Sequence, residues 1–234
     1  MSQPSPDSEV APPSARVVPR DAAALVLCRR DLGEPQILLG RRAGALRFMP
    51  NLYVFPGGRV DPADARAAHA TALRPEVLAK LALGATPVRA HALAMAAVRE
   101  MFEEAGVRVG QRGERRRSKS PSWSRFLASG LAPALHGLDY VARAITPPGN
   151  PRRFDTRFFL ADASHADAPD ALNGSGELLD LQWVALSRVR ALPLPEATLM
   201  VIAEVEKRVA APDRSRLLIP FARFTRGGVR LEHL

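Results

Sequence analysis

The sequence predicts a mixed α/β fold in which helices pack on a sheet. Strand-like and helix-like segments are interspersed along the chain, which is typical of this class. The 234 residues are 47% hydrophobic and 24% charged, so the chain can bury a sizeable core. We expect a disordered tail over residues 1–20, rich in Pro, Ser and acidic residues, and a single domain over residues 21–234.

Short apolar runs bounded by turn residues predict the strands. The first two are expected at residues 23–28 and 36–41, joined by a turn at Asp31-Leu32-Gly33. A third is expected at residues 52–55, ending at Pro56-Gly57-Gly58. Later strands are expected at residues 140–146, 154–161 and 181–185.

One helix has clear start and stop signals. Thr86 followed by Pro87 is typical of a helix start and Gly106 of a helix end, so we expect a helix between them. The Ala-rich stretch 61–84 is expected to form one or two short helices, with Pro75 near the start of the second. Further helices are expected at residues 121–129 and 196–211.

The cysteine content and the hydrophobic runs indicate in which cellular compartment the protein is expected. The single cysteine, Cys28, excludes an intramolecular disulfide, which fits a reducing interior. The first residues lack the basic-then-apolar pattern of a signal peptide, and no apolar run approaches the roughly 20 residues that span a bilayer. We therefore expect a cytoplasmic protein without a membrane partner. The sequence does not determine the oligomeric state, and a homodimer is one alternative.

The net charge of +9 raises the question of nucleic-acid binding. Seven basic residues and one acid lie between Arg108 and Arg125, so much of the positive excess falls in one stretch. Since blocks of like charge are usually disordered, we expect a basic mobile loop at about residues 110–120. An anion-attracting surface is the alternative. No aromatic residues are interleaved to stack bases, so nucleic acid is not the expected partner.

Three glutamates share one face of the predicted long helix. At about 100° per residue, Glu100, Glu103 and Glu104 fall within an arc of about 100°, opposite an apolar face. Like charges at this spacing repel on a bare helix, and a bound divalent cation would turn that cost into affinity. For three glutamates alone, a solvated acidic face is the alternative.

The surrounding residues resemble the Nudix box, whose pattern is G-x5-E-x7-R-E-U-x-E-E-x-G-U with U apolar. Gly58 and Asp64 match the first half in spacing, with Asp in place of Glu. Between Asp64 and Arg99 lie 34 residues instead of seven, which indicates an insertion at about residues 65–86 and leaves the role of Asp64 open. The second half matches at every specified position, namely Arg99, Glu100, Met101, Glu103, Glu104, Gly106 and Val107.

The resemblance implies the α/β/α sandwich of Nudix hydrolases, with a mixed sheet and a helical insertion inside the box. It also implies Mg²⁺, with Mn²⁺ as the alternative. The implied metal ligands are Glu100, Glu103, Glu104 and the backbone carbonyl of Gly58.

Three catalytic roles also follow from the resemblance. Arg99 would orient the glutamates by ion pairing, and Glu103 would serve catalysis as well as the metal. A general base often comes from a glutamate in a loop outside the box, and Glu177 is the candidate here. Asp180 competes for that role, and an ordinary loop acid is the alternative for Glu177.

An upstream segment resembles the pattern L-L-T-x-R-[SA]-x3-R-x3-G-x3-F-P-G-G of coenzyme A diphosphatases, one branch of which has an interrupted box. Gly40 stands in place of Thr and Asn51 in place of Gly, so the match is partial. Arg42 and Arg47 would bind phosphates of the substrate's nucleotide end, with solubilising arginines as the alternative. The matching residues are Leu38, Leu39, Arg42, Ala43, Arg47, Phe55, Pro56, Gly57 and Gly58.

The function implied is hydrolysis of the diphosphate in a small nucleotide-linked substrate, with coenzyme A or acyl-coenzyme A favoured. A diphosphatase acting on NADH or ADP-ribose is one alternative. A noncatalytic Nudix-fold binding or regulatory protein is another, although such a protein would be expected to have lost its glutamates.

Overall fold

The computed structural model describes residues 17–45, 49–113, 117–174, 176–211, 217–225 and 227–234. Most of the predicted N-terminal tail, residues 1–16, lies outside the described residues. The helices are α1 (Pro75–Ala82), α2 (Pro87–Ala105), α3 (Pro121–Ala128) and α4 (Glu196–Ala210). The strands are β1 (Arg20–Arg29), β2 (Gln36–Arg42), β3 (Tyr53–Val54), β4 (Gly57–Arg59), β5 (Arg108–Arg112), β6 (Leu131–Pro133), β7 (Asp139–Ile145), β8 (Phe154–Asp162), β9 (Ala166–Asp167), β10 (Leu178–Ala185), β11 (Pro220–Thr225) and β12 (Gly228–His233).

A mixed sheet forms the centre of the fold. In the described part of the chain it has nine strands, in the order β10-β2-β1-β8-β7-β11-β12, with β3 added to β2 and β4 added to β1. β1 runs parallel to β8, whereas β2 is antiparallel to β1 and β7 is antiparallel to β8. β1 is buried from Ala22 to Arg29 without interruption, as expected for a central strand covered on both faces.

Helices cover both faces of this sheet. On one face, α1, α2 and α3 pack over Leu25 and Leu27 of β1. On the other face, α4 packs over Val26 and Cys28. The predicted α/β/α sandwich is therefore confirmed. Among the described helices none is long and apolar enough to cross a membrane alone, and α1 with α2 meets that criterion only as a pair bent by 111°.

The edge of β1 is divided between two partners, and this division shapes the site. Cys28 and Arg29 pair with β2, whereas Ala22, Ala23 and Ala24 pair with β4. The strand expected at residues 52–55 is found as β3 and ends before Pro56, and Gly57–Arg59 then forms a further strand, β4, which pairs with the free part of β1 and was not predicted. A Cβ on Gly57 would lie 2.6 Å from the Cβ of Ala24, so this close pairing requires glycine.

The remaining elements agree with the sequence in part. The long helix lies where its start and stop signals place it, and the Ala-rich stretch contains α1 after a series of turns at residues 62–66. The basic loop expected at residues 110–120 needs correction at its start, because β5 extends to Arg112 and pairs with β6 and β9. Residues 114–116 of that loop lie outside the described residues.

Six strands escaped prediction, namely β4, β5, β6, β9, β11 and β12. Four of them have five residues or fewer and carry no alternation long enough to identify a strand. β5 is mostly polar, and only Val109 in it is buried. The β11–β12 hairpin had a usable signal in the turn at Gly227-Gly228, and its distant position in the sheet comes from pairing with β7.

We expect Gly106→Ala to destabilise the fold by about 2 kcal/mol, and Gly130→Ala by about 1 kcal/mol. Both glycines adopt a left-handed backbone, with φ of +76° and +80°. An added Cβ at Gly106 would also lie 3.2 Å from Asn173, whereas at Gly130 nothing lies within 4 Å. Urea unfolding of the two variants measures the difference, and equal losses would contradict the role of the Asn173 contact.

Candidate active site

α2 holds the three predicted glutamates in place because both of its ends are fixed. The Thr86 hydroxyl accepts a hydrogen bond from the Arg89 amide at 3.3 Å, and Gly106 ends the helix in the left-handed conformation. One side of α2 lies in the core on β1. The side of α2 that carries the glutamates faces β4, which pairs with the part of β1 that β2 leaves free.

Glu104 and Glu100 each contact one glycine of β4. The amide of Gly57 donates a hydrogen bond to Oε2 of Glu104 at 2.8 Å. A Cβ on Gly58 would lie 2.4 to 2.7 Å from the carboxylate atoms of Glu100. The absence of a Cβ at Gly58 leaves room for this carboxylate, and the two halves of the predicted motif lie side by side.

Arg99 links the glutamates to the rest of the site. Its Nη1 donates to Oε1 of Glu100 at 2.8 Å and to Oε2 of Glu103 at 2.7 Å. Its Nη2 donates to the carbonyl of Arg59 in β4 at 2.8 Å. Arg99 therefore forms ion pairs with two of the three glutamates, and its orienting role stays a prediction.

The structure also places Asp64, whose role the sequence left open. This side chain is fully buried and accepts two hydrogen bonds from Arg99, at 2.8 Å from Nε and 3.1 Å from Nη2. The amide of Asp61 donates to it at 2.8 Å and the indole of Trp123 at 2.9 Å. Asp64 therefore contacts Arg99 directly despite the insertion between them.

Burial perturbs the acids next to β4. Desolvation, reinforced by the neighbouring Glu103 and Asp64, raises the pKa of Glu100 to about 7 in spite of Arg99. Desolvation likewise raises the pKa of Glu104 to about 8, although the amide of Gly57 opposes the shift. The charged forms of both carboxylates are thus poorly compensated by the protein itself.

A cavity of about 800 Å³ opens beside these residues. Arg99, Glu100 and Glu103 line it, whereas Glu104 is 4% exposed and is not part of the lining. Its other walls are largely apolar and come from β3, β7, β8, β11 and the start of α4. These apolar lining residues include Val54, Phe55, Ala144, Phe154, Phe158, Pro195, Ala197 and Phe224.

The remaining predicted site residues separate into three groups. Glu177 and Arg42 line the same cavity as the glutamates. Asp180, the competitor for the general base, instead accepts a hydrogen bond from the Tyr53 hydroxyl and does not line the cavity. Arg47 lies outside the described residues.

The carboxylate oxygens of this site are ligands that suit a hard divalent cation. Within the described residues, no three Asp, Glu, His or Cys side chains converge closely enough to hold an ion as they stand. Three carboxylates, those of Asp64, Glu100 and Glu103, nevertheless share the single guanidinium of Arg99, and Glu104 accepts a hydrogen bond from the Gly57 amide beside them. Buried carboxylates whose charge lacks compensation are the oxygen ligands that Mg²⁺ and Mn²⁺ prefer.

Sequence reasoning missed two residues of this site. Trp123 lies 59 residues from Asp64 in the chain, and no spacing rule connects an indole in α3 with this aspartate. The carbonyl of Arg59 is a backbone group, so its contact with Arg99 carries no residue-type signal. The one usable signal was the G-x5-D spacing that ends at Asp64.

The fold and part of the sequence match known proteins. A Nudix hydrolase of Alicyclobacillus acidocaldarius is 33% identical, and its crystal structure aligns over 84% of this chain and 94% of its own with a TM-score of 0.60. A Caenorhabditis elegans protein named nudix hydrolase 7 is 29% identical over 177 residues, which is 70% of this chain. The alignment spans only 51% of that relative, about half its length.

A more distant likeness concerns the fold alone. The Nudix domain of Shewanella oneidensis NrtR, solved in complex with ADP-ribose, is 14% identical with a TM-score of 0.50, covering 85% of this chain and 93% of its own. No protein-family model matches the chain.

The raised carboxyl pKa values predict how stability depends on pH when divalent cations are removed by EDTA. The ordinary pKa of 4.5 rises to about 7 and about 8 in the folded state, so the folded protein binds more protons between these limits. The free energy of unfolding should therefore fall as pH rises from about 5 to about 8. Glu104→Gln should flatten this fall, which thermal unfolding in EDTA would measure.

Glu206→Gln is the matched control for this measurement. Its carboxylate is bound by Arg190, which lowers its pKa, so it titrates below the pH range in question. We expect this variant to keep the pH dependence of the parent. An unchanged slope in Glu104→Gln would contradict the burial argument.

Proposed function

Because the chain belongs to the Nudix hydrolase family, we propose that it hydrolyses the diphosphate of coenzyme A or acyl-coenzyme A with the help of Mg²⁺ or Mn²⁺. The observation that carries the proposal is the pair of buried glutamates, Glu100 and Glu104, packed against Gly57-Gly58 at the edge of a large cavity. The upstream segment that resembles coenzyme A diphosphatases supports the choice of substrate.

Glu100, Glu103, Glu104 and the carbonyl of Gly58 would hold the cation. A divalent cation bound there would polarise the diphosphate and lower the pKa of a bound water. Arg99 keeps Glu100 and Glu103 in fixed orientations, which serves catalysis through positioning. Without the cation, the negatively charged carboxylates would repel an anionic substrate.

Glu177 is the proposed general base because it lines the cavity from the loop before β10. It would take one proton from the attacking water, whose oxygen forms a bond to phosphorus. The bond between that phosphorus and the bridging oxygen then breaks, and the bridging oxygen leaves with the electron pair. With coenzyme A the products would be a phosphopantetheine and adenosine bisphosphate.

An ADP-ribose or NADH diphosphatase is the second candidate. The distant structural relative from Shewanella oneidensis was solved with ADP-ribose, and these substrates share the ADP portion with coenzyme A. They differ from coenzyme A in lacking both a 3′-phosphate and a pantetheine arm. A comparison of substrates with and without these two groups therefore distinguishes the two candidate functions.

The test is hydrolysis of coenzyme A, acyl-coenzyme A, NADH and ADP-ribose at equal concentration, with products identified by mass spectrometry. We expect the highest kcat/KM on coenzyme A or an acyl-coenzyme A. A preference of tenfold or more for ADP-ribose or NADH, about 1.4 kcal/mol, would contradict the proposed substrate and leave the enzyme class intact.

Glu104→Gln should reduce turnover of the best substrate by about a thousandfold, because a charge that offsets the cation is lost. The fold should survive, since this change relieves repulsion within the cluster. Mg²⁺ should also cease to raise the melting temperature, because a ligand stabilises only the state that binds it. Glu206→Gln, on α4, is the control, and turnover near the parent rate in Glu104→Gln would refute the metal assignment.

Arg42→Ala should lower kcat/KM about tenfold more for coenzyme A than for dephospho-coenzyme A, if the guanidinium contacts the 3′-phosphate. Arg41→Ala is the matched control, because the next residue on a strand points to the opposite face and Arg41 does not line the cavity. Equal losses on both substrates would remove the 3′-phosphate assignment from Arg42.

A further inference from the structure

Trp123 is a fully buried side chain of α3, outside every segment that matches the box. Its ring packs on Phe126 with centroids 5.6 Å apart, and Phe126 packs on Phe102 of α2 at 5.4 Å. These contacts fix α3 against the helix that carries the glutamates. They also aim the indole N–H at Asp64, 2.9 Å away.

The carboxylate of Asp64 is saturated by its donors. Arg99 supplies two hydrogen bonds, the Asp61 amide supplies one, and Trp123 supplies the fourth. A carboxylate offers about four acceptor sites, so these four donors occupy all of them.

Arg99 is saturated in the same way. Its five N–H groups are all engaged, by Asp64 twice, by Glu100, by Glu103 and by the carbonyl of Arg59. The guanidinium is planar and rigid, so a rotation of Asp64 displaces the N–H groups that bind the two glutamates.

We propose that Trp123 is a positioning residue for the metal centre, acting through Asp64 and Arg99 on Glu100 and Glu103. The inference rests on the proposed function, because it assumes that these glutamates bind the cation. Loss of the indole N–H leaves one acceptor site of a buried carboxylate unfilled and lets Asp64 move. The guanidinium then no longer holds Glu100 and Glu103 in the orientations in which they would bind the cation.

The first experiment compares Trp123→Phe with Trp183→Phe. The control also removes an indole donor, because the partly buried Trp183 donates to the carbonyl of Pro169 at 3.3 Å outside this network. Binding of Mn²⁺ alone is measured by titration calorimetry. We expect affinity to fall about tenfold in Trp123→Phe, a loss typical of one hydrogen bond to a charged group, and to stay near the parent value in Trp183→Phe.

The kinetic readout separates positioning from general damage to the fold. In Trp123→Phe, kcat on the best substrate should fall about tenfold while KM stays within about twofold, since substrate contacts are untouched. Raising Mn²⁺ should recover part of the lost turnover. A purely structural role predicts equal effects of the two Trp substitutions at matched stability, and that result would overturn the inference.

A second variant covers the case in which Trp123→Phe does not fold. The chain has two tryptophans, so in the Trp183→Phe background Trp123 can be replaced biosynthetically by β-(3-benzothienyl)alanine, which keeps the ring shape and lacks the N–H. The same tenfold loss of Mn²⁺ affinity is expected. Unchanged Mn²⁺ affinity in this protein overturns the positioning role alone, whereas a parent that binds no Mn²⁺ overturns the proposed function and this inference with it.

Discussion

A cluster of four acids, three of which bind the guanidinium of Arg99, is the feature on which the rest of the structure depends. Asp64, Glu100 and Glu103 all bind Arg99, and Glu104 lies on the same helix with its charge desolvated. Removing charges from water is costly unless each is paired and hydrogen-bonded. The single positive charge of Arg99 cannot balance four ionised carboxylates. The ionised cluster therefore carries an excess of negative charge. That excess is the physical basis for expecting a cation, and the surrounding elements keep the acids together against their repulsion.

The divided edge of β1 makes this burial geometrically feasible. β2 pairs with the end of β1, which leaves the beginning of β1 free for β4. Gly57 and Gly58 let β4 approach both β1 and the face of α2 that carries Glu100. A side chain at Gly57 would clash with Ala24 of β1, and one at Gly58 would displace the carboxylate of Glu100.

The long stretch of chain between Asp64 and Arg99 costs the site little stability. Loop-closure entropy grows only slowly with length, so a longer connection between Asp64 and Arg99 is tolerable if its ends are held. Tertiary contacts hold them here, because Asp64 is bound by Arg99 and by Trp123 of α3. The same stretch contributes α1, whose Val77 and Leu81 join the core under α2. The local motif is thus restored by packing instead of by short spacing.

The sequence alone determined the α/β class, the position of α2 and the glutamate face. Caps and helical periodicity are local properties, readable from Thr86, Pro87 and Gly106 without knowledge of the fold. Tertiary structure decided which acids are buried, that Glu177 and not Asp180 lines the cavity, and that residues 108–112 form a strand. It also decided the partners of Asp64, which lie 35 and 59 residues away in the chain. Such contacts depend on how separate elements pack, because the energy that selects them comes from burial and charge pairing between distant segments, which no local pattern encodes.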